Sequence, residues 1–295
     1  MNNTKSKYVI GSVLLTLAAS IWGGMFVVVK SIVGEIPPIE LVWLRYLTAA
    51  VCLIVFSLIV RTRWHFNAHD LGIIVLIGLL GNTLSLITQE TGTWLSNAQT
   101  GAVITTSTPI FMMIFAWLFL KEKLTWLRIC SIIMAALGVI VIVGLHLTGA
   151  HLLLGIFSLL VSSCAWALAS ILIKKLSKTY NALQITIISV VVALIVISPW
   201  IGVHWNIIQG INFLNLKVLF CILYLGCIST AAAFIMWDKG LALMDADSSG
   251  LFYLIQPIVG AFLGWLILGE NISAGFIVGM LLIIGGVYLY IRFDN

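Results

Sequence analysis

Charge is scarce in this chain. Only 8% of its 295 residues are Asp, Glu, Lys or Arg, while 62% are hydrophobic; a soluble domain carries roughly 25% charged residues. Such a chain cannot cover itself with a polar surface, which excludes an ordinary water-soluble globule. Its five cysteines (Cys52, Cys130, Cys164, Cys221 and Cys227) lie inside apolar runs with no CxxC spacing. They read as small buried hydrophobes rather than a disulfide framework. His65 and His69 have i,i+4 spacing but no third ligand and no HExxH frame, so no metal is expected. His146, His151 and His204 read as interfacial. GxSxG, a P-loop and a glycine-rich phosphate cradle are all missing, which excludes ATP-driven pumping within this chain. No nucleophile–base pair stands at depth, so the chain reads as no enzyme, and no cofactor is expected.

Apolar length is plentiful instead. Ten runs come close to the ~20 residues a helix needs to cross hydrocarbon, at about 9–30, 39–59, 71–91, 98–120, 126–146, 153–173, 183–203, 216–237, 247–268 and 273–292. They leave about ten residues per connection, too few for a separate soluble domain. The first run follows Lys5 and Lys7 as in a signal peptide, but it is too long for a cleaved segment and more spans follow. With the N-terminus in the cytoplasm, twelve of the fifteen Lys and Arg residues fall on the inner side. Lys30 and Lys217 fall on the outer side, and Arg45 within a span. That asymmetry is positive-inside retention. The net charge of +5 is therefore a topology signal and not one for nucleic acid.

The chain also repeats itself. Pro109 to Glu122 (PIFMMIFAWLFLKE) returns 148 positions later as Pro257 to Glu270 (PIVGAFLGWLILGE), with six of fourteen positions identical. Trp22 and Lys30 echo Trp166 and Lys174, both 144 apart, and Gly138 echoes Gly286. Five spans per copy is an odd number, so the copies must be upside down relative to each other. The expected fold is an all-α membrane protein: ten transmembrane helices as two inverted five-helix repeats, residues 1–148 and 149–295, with N- and C-termini cytoplasmic. Thr125 and Ser273 fit helix N-caps. Gly260-xxx-Gly264 and Gly275-xxx-Gly279 predict close approach of spans nine and ten.

Taken in order, Trp22-Gly23…Lys30, Arg45, the two proline-to-glutamate segments and the glycine-bearing helices after them resemble the EamA-type branch of the drug/metabolite transporter superfamily. The resemblance covers nearly the whole chain. It implies a central cavity lined mainly by spans one, three, four, six, eight and nine, and export of amino acids, other small metabolites or drugs. The second copy departs from the first at Arg45, whose counterpart is Ser189.

Several residues carry candidate chemistry. Arg45 lies about five residues into span two, roughly 8 Å below the surface by helix rise. It is either a fork for a substrate carboxylate or the partner of Glu90 from another helix. Glu90 reads as a proton-coupling carboxylate or as a solvated helix-end charge. Asp238, its equivalent, reads as an exposed ion pair beside Lys239. Glu122 and Glu270 precede helix N-termini and read as structural joints. Pro109 and Pro257 predict kinks in spans four and nine. Matched broken helices point to a site at the midplane, with Thr105, Thr106, Ser107 and Thr108 around one break and Tyr253 and Gln256 around the other. Trp22 and Trp166 at mid-depth call for a cavity or a polar partner, Asn82 and Gln89 add amides, and Trp94 and Trp237 fit an interfacial belt.

Together these residues predict a secondary transporter in a bacterial-type plasma membrane, exporting small organic metabolites such as amino acids by alternating access. Trp22, Trp166 and Tyr253 supply apolar bulk. Asn82, Gln89, Thr106, Ser107 and Gln256 supply neutral hydrogen bonds, and Arg45 and Glu90 supply charge. The expected partners are a small-molecule substrate and the lipid bilayer. The alternative is a multidrug exporter of lipophilic compounds, against which no acid lies inside spans one or six.

Overall fold

The computed structural model describes residues 2–62, 64, 67–121, 125–143, 150–176, 180–244 and 249–293, and every regular element among them is helical. Among the described residues, seven stretches are long and apolar enough to cross a membrane: Lys7–Ile32, Pro38–Val60, Asp70–Leu95, Ala98–Leu120, His151–Leu176, Ala182–Val203 and Leu216–Leu243. Shorter apolar helices cover Phe252–Leu268 and Ala274–Gly286. In hydrocarbon a backbone must satisfy its own hydrogen bonds, which a helix does segment by segment.

The chain begins with α1 (Asn2–Ile32) and α2 (Pro38–Val60). Pro38 presets φ at the start of α2, and Glu40 sits in its first turn, where the helix dipole favours an acid. Next come α3 (Ala68–Ile77), a π-helical segment (Gly78–Leu84) and α4 (Ser85–Leu95), stacked end to end. Asn97 then caps α5 (Ala98–Ile104) by accepting from the Thr100 N–H. A 3-10 turn (Thr105–Ser107) leads into α6 (Thr108–Leu120), followed by α7 (Trp126–Val143).

The second half runs through α8 (Ala150–Leu176), α9 (Ala182–Val203) and a short α10 (Trp205–Gly210) for which the apolar pattern holds no signal. Then come α11 (Leu216–Leu223), a second π-helical segment (Tyr224–Ala232) and α12 (Ala233–Leu243). A second 3-10 turn (Leu251–Leu254) precedes α13 (Ile255–Leu268), and α14 (Ala274–Phe293) closes the chain.

The irregularities recur at matching places. Pro109 and Pro257 lie in the first turns of α6 and α13, each just after a 3-10 turn. Proline lacks an N–H and crowds the carbonyl four residues back, so the preceding turn tightens to i,i+3 bonding. The π-segments end at Leu84 and Ala232, again 148 positions apart (232 − 84). So do the left-handed C-caps of α6 and α13, Lys121 (φ 58°) and Gly269 (φ 66°). Glycine takes that conformation freely, whereas at Lys121 it costs about 1–2 kcal/mol.

Helix α1 is central, packed along α12 and α13, while α2 packs on α9, α4 on α8, and α7 pairs with α14. A Cβ on Gly23 would lie 2.8 Å from the Gln256 carbonyl oxygen, so the backbones of α1 and α13 nearly touch. Three of the four glycines expected to join spans nine and ten face elsewhere. Gly260 abuts Ala102 of α5, Gly264 abuts the Glu270 carboxylate and Gln99, and Gly275 faces the Val141 carbonyl of α7. Small residues admit whichever helix the topology brings beside them, which sequence order does not reveal.

Charged side chains fasten the helix ends. The Lys30 ammonium donates to the carbonyls of Thr93, Trp94 (3.0 Å) and Ser96 (2.5 Å), where α4 ends. Its echo Lys174 donates to the carbonyls of Leu241 (2.8 Å) and Met244, where α12 ends. Glu270 accepts from the N–H groups of Ala98 (2.9 Å) and Gln99 (3.1 Å). It therefore caps α5, whereas its position in sequence points to the helix that follows it. Ser273 performs that local role, accepting from the Phe276 N–H at 3.0 Å. Glu122 and His65 lie outside the described residues.

Candidate functional site

The two proline breaks, α1 and α8 converge on a small cavity of about 30 Å³, well below the roughly 300–1,000 Å³ usual for small-molecule sites, so a solute would need it to widen. Its apolar wall is aromatic. Trp22 stands edge-on to Trp166 with centroids 5.6 Å apart, lies parallel to Tyr253 at 5.9 Å, and touches Phe234 and Trp237. The indole N–H of Trp22 donates to the Ser229 carbonyl at 2.9 Å, which fixes the ring at depth. Met25 and Leu86 complete the apolar surface.

The polar wall is neutral except at one point. Gln89, Thr105, Thr108, Ser162, Ser163 and Gln256 line it, together with Arg45. Thr105 and Thr108 share a face because residues three apart eclipse in a 3-10 turn. Thr105 donates to the Gln256 side-chain oxygen at 3.3 Å, linking the two breaks. Thr106 and Ser107, buried in the same turn, are not among the residues lining the cavity: Thr106 bonds the Val103 carbonyl at 2.5 Å, and Ser107 Oγ has no partner among the described residues.

Arg45 is fully enclosed. Its Nε donates to Thr230 Oγ1 (2.5 Å), Nη1 to Glu90 Oε1 (3.1 Å) and Nη2 to Ser229 Oγ (3.2 Å). Three of the five guanidinium N–H groups are thereby used, and the side chain still reaches the cavity wall. Ser229 and Thr230 both belong to the second π-segment, so that widened turn is the arginine's cradle. Glu90 stands behind Arg45 instead of on the wall, buried with Oε2 unpaired. Asn82 is also behind the wall; its backbone carbonyl accepts from Tyr46 Oη at 2.6 Å, and its Nδ2 has no partner.

Two expectations need correction. Asp238 is no exposed ion pair: Lys239 is exposed, but Asp238 is buried with Oδ2 2.8 Å from the Thr186 hydroxyl oxygen. Trp237 is no interfacial belt residue either. It is 0% exposed, with its ring 4.6 Å from that of Tyr253. Both follow from the side of α12 that faces α1 and α9. Trp94, at 48% exposure, stays peripheral.

Sequence reasoning passed over Met25, Leu86, Ser162, Ser163 and Phe234. Ser162 and Ser163 had a signal in their position one turn before Trp166; Phe234 had none. Around the cavity, neither the Trp166 indole N–H nor the Tyr253 hydroxyl completes a hydrogen bond of normal geometry, although the two lie close together. Buried polar atoms left open in this way are what a polar solute satisfies.

A helical bundle of apolar spans around a small, mostly neutral cavity defines a multi-pass membrane transporter. The sequence profile of the EamA-like transporter family matches residues 9–144 and again 153–292. The chain belongs to that family, and its place is the cell membrane. An "Uncharacterized transporter" of Archaeoglobus fulgidus is 26% identical over 280 residues, covering 95% of this chain and 98% of the relative. A protein of Salmonella typhimurium named "Probable amino-acid metabolite efflux pump" is 25% identical over 292 residues, covering 94% and 93%. A crystal structure at 18% identity superposes with a TM-score of 0.69 over 97% of this chain and 98% of the other, so the fold is shared.

Proposed function

We propose that the chain exports small organic metabolites, amino acids foremost, by alternating access through the Trp22–Trp166 cavity. The observation that carries this reading is the cavity itself: aromatic bulk, neutral hydrogen-bonding groups and one arginine with N–H groups to spare. A zwitterion suits it. The carboxylate would meet the guanidinium, and the ammonium would lie against the indole faces. The name of the Salmonella relative points the same way.

The machinery of that cycle is two five-helix units, residues 1–148 and 149–295, inverted in the bilayer with both termini cytoplasmic. Support comes from the doubled family match and from π-segments, 3-10 turns and left-handed caps at corresponding places. The mirrored lysine clamps support it too. Lys30 and Glu270 gather one end of the bundle, where Lys217 also pairs with Glu35 at 2.8 Å. Lys174 gathers the other end, where the Asn67 N–H donates to Tyr180 Oη at 3.0 Å. Loosening one cluster while the other holds would expose the cavity to one side at a time.

Counterflow of a labelled amino-acid panel in proteoliposomes tests the reading. Exchange of a subset, lowered at least tenfold by Arg45→Lys, is the expected result. Dye movement with no amino-acid exchange would replace it with multidrug export.

A further inference from the structure

Asp238 takes no part in the cavity wall, yet its surroundings specify its protonation. It is 4% exposed on α12, and its hydrogen-bond partner is the Thr186 hydroxyl of α9, 2.8 Å from Oδ2. The same hydroxyl lies 2.8 Å from the Ala182 carbonyl oxygen one turn earlier. Thr186 has one proton and stands between two oxygens. A carbonyl oxygen can only accept, and threonines within helices donate to that i−4 carbonyl. The contact with Asp238 is then satisfied only if the acid brings the proton. An ionised Asp238 would share a fraction of one hydrogen bond in a buried membrane segment, a setting hostile to an unpaired charge.

Among the described residues no cation pairs with it. Helix α9 carries no charged residue, and Lys7 of α1 and Lys239 of α12 are exposed. The ammonium of Lys174 on α8 lies on the carbonyls of Leu241 and Met244. Tyr253 is a titratable neighbour of Asp238. The contrast with Glu90 is internal to the protein. Glu90 and Asp238 each lie six residues beyond a π-segment (90 − 84; 238 − 232). Glu90 has Arg45, whereas the matching residue in the second half is Ser189. One acid has a counter-ion; the other needs a proton.

Asp238 lies close to the cavity wall. Tyr253, which lines the cavity, packs on Trp237 beside Asp238. We propose that Asp238 is the proton-binding site of the transport cycle. Its O–H bond breaks when the Lys174 end of the bundle opens, the proton passes to cytoplasmic water, and a proton from the outer side restores the acid on the return. One proton thus enters for each solute exported. The proposal rests on the export reading above.

Infrared spectroscopy of the full-length protein in lipid tests it without any solute. At pH 7 the wild type should show a protonated-carboxyl C=O band that Asp238→Asn removes. Thr186→Val should move that band to higher frequency. In proteoliposomes, acid outside should drive an equimolar mixture of labelled amino acids outward against its gradient. Asp238→Asn should lose at least tenfold of that drive, and Asp238→Glu should recover part of it. Identical infrared spectra for wild type and Asp238→Asn overturn the proposal, as does undiminished proton-driven export by Asp238→Asn. If no amino acid moves in any form, the export reading fails, and the infrared difference decides alone whether Asp238 holds the proton.

Discussion

Arg45 and Glu90 meet at 3.1 Å with neither side chain exposed, joining α2 to α4 behind the cavity wall. Removing one member of a buried pair strands the other and costs about 3–5 kcal/mol. Arg45→Met should therefore destabilise strongly, while Arg45→Met with Glu90→Gln should regain most of the loss. Thermal unfolding in detergent of wild type, both single variants and the double variant measures this. Additive losses would mean the contact contributes nothing.

Glu270 ties the joint before α14 to the first turn of α5 through two backbone N–H groups. Loss of a helix cap costs about 1 kcal/mol. Glu270→Ala should lower stability by that amount and speed amide exchange at Ala98 and Gln99, with Glu270→Gln intermediate. Unchanged exchange at those two amides would remove the cap from the account.

Two glycine substitutions should differ in sign. At Gly23 an added methyl meets the Gln256 backbone, which cannot swing aside, so Gly23→Ala should force α1 from α13 and cost about 1–3 kcal/mol. Gly202, inside α9, has nothing within 4 Å. There the gain in helix propensity should make Gly202→Ala stabilising by about 0.5–1 kcal/mol. A common sign in unfolding experiments would contradict the packing described.

Of four successive hydroxyl residues, only Thr105 and Thr108 face the cavity. Thr108→Val should remove a hydrogen bond worth about 1 kcal/mol, a roughly fivefold loss of solute affinity. Thr106→Val should leave affinity within twofold. Binding titrations of the two variants with an exchanged amino acid decide the point, and equal losses would reject the facing assigned to this turn.

Both broken helices were legible because proline acts locally: wherever it stands, the carbonyl one turn back loses its donor. Arg45 with Glu90 was legible as one of two readings, because an ion inside a span must find a partner and few were on offer. The side of each helix that faces inward was harder to read. The π-segments carry no sequence mark, and each extra residue in a turn rotates everything beyond it. That rotation buries Asp238 and Trp237, which a regular count places at an exposed end.

Composition and repetition determined by themselves that this chain lives in lipid, crosses it with helices and repeats its own pattern, as the doubled family match repeats it. Hydropathy and the spacing of like residues are properties of the linear chain, readable without contacts. Tertiary structure alone decided which helix Glu270 caps, which hydroxyls reach the cavity and which of two matching acids has a cation. These depend on residues 45 to 172 positions apart arriving at hydrogen-bonding distance, and no local pattern encodes that distance.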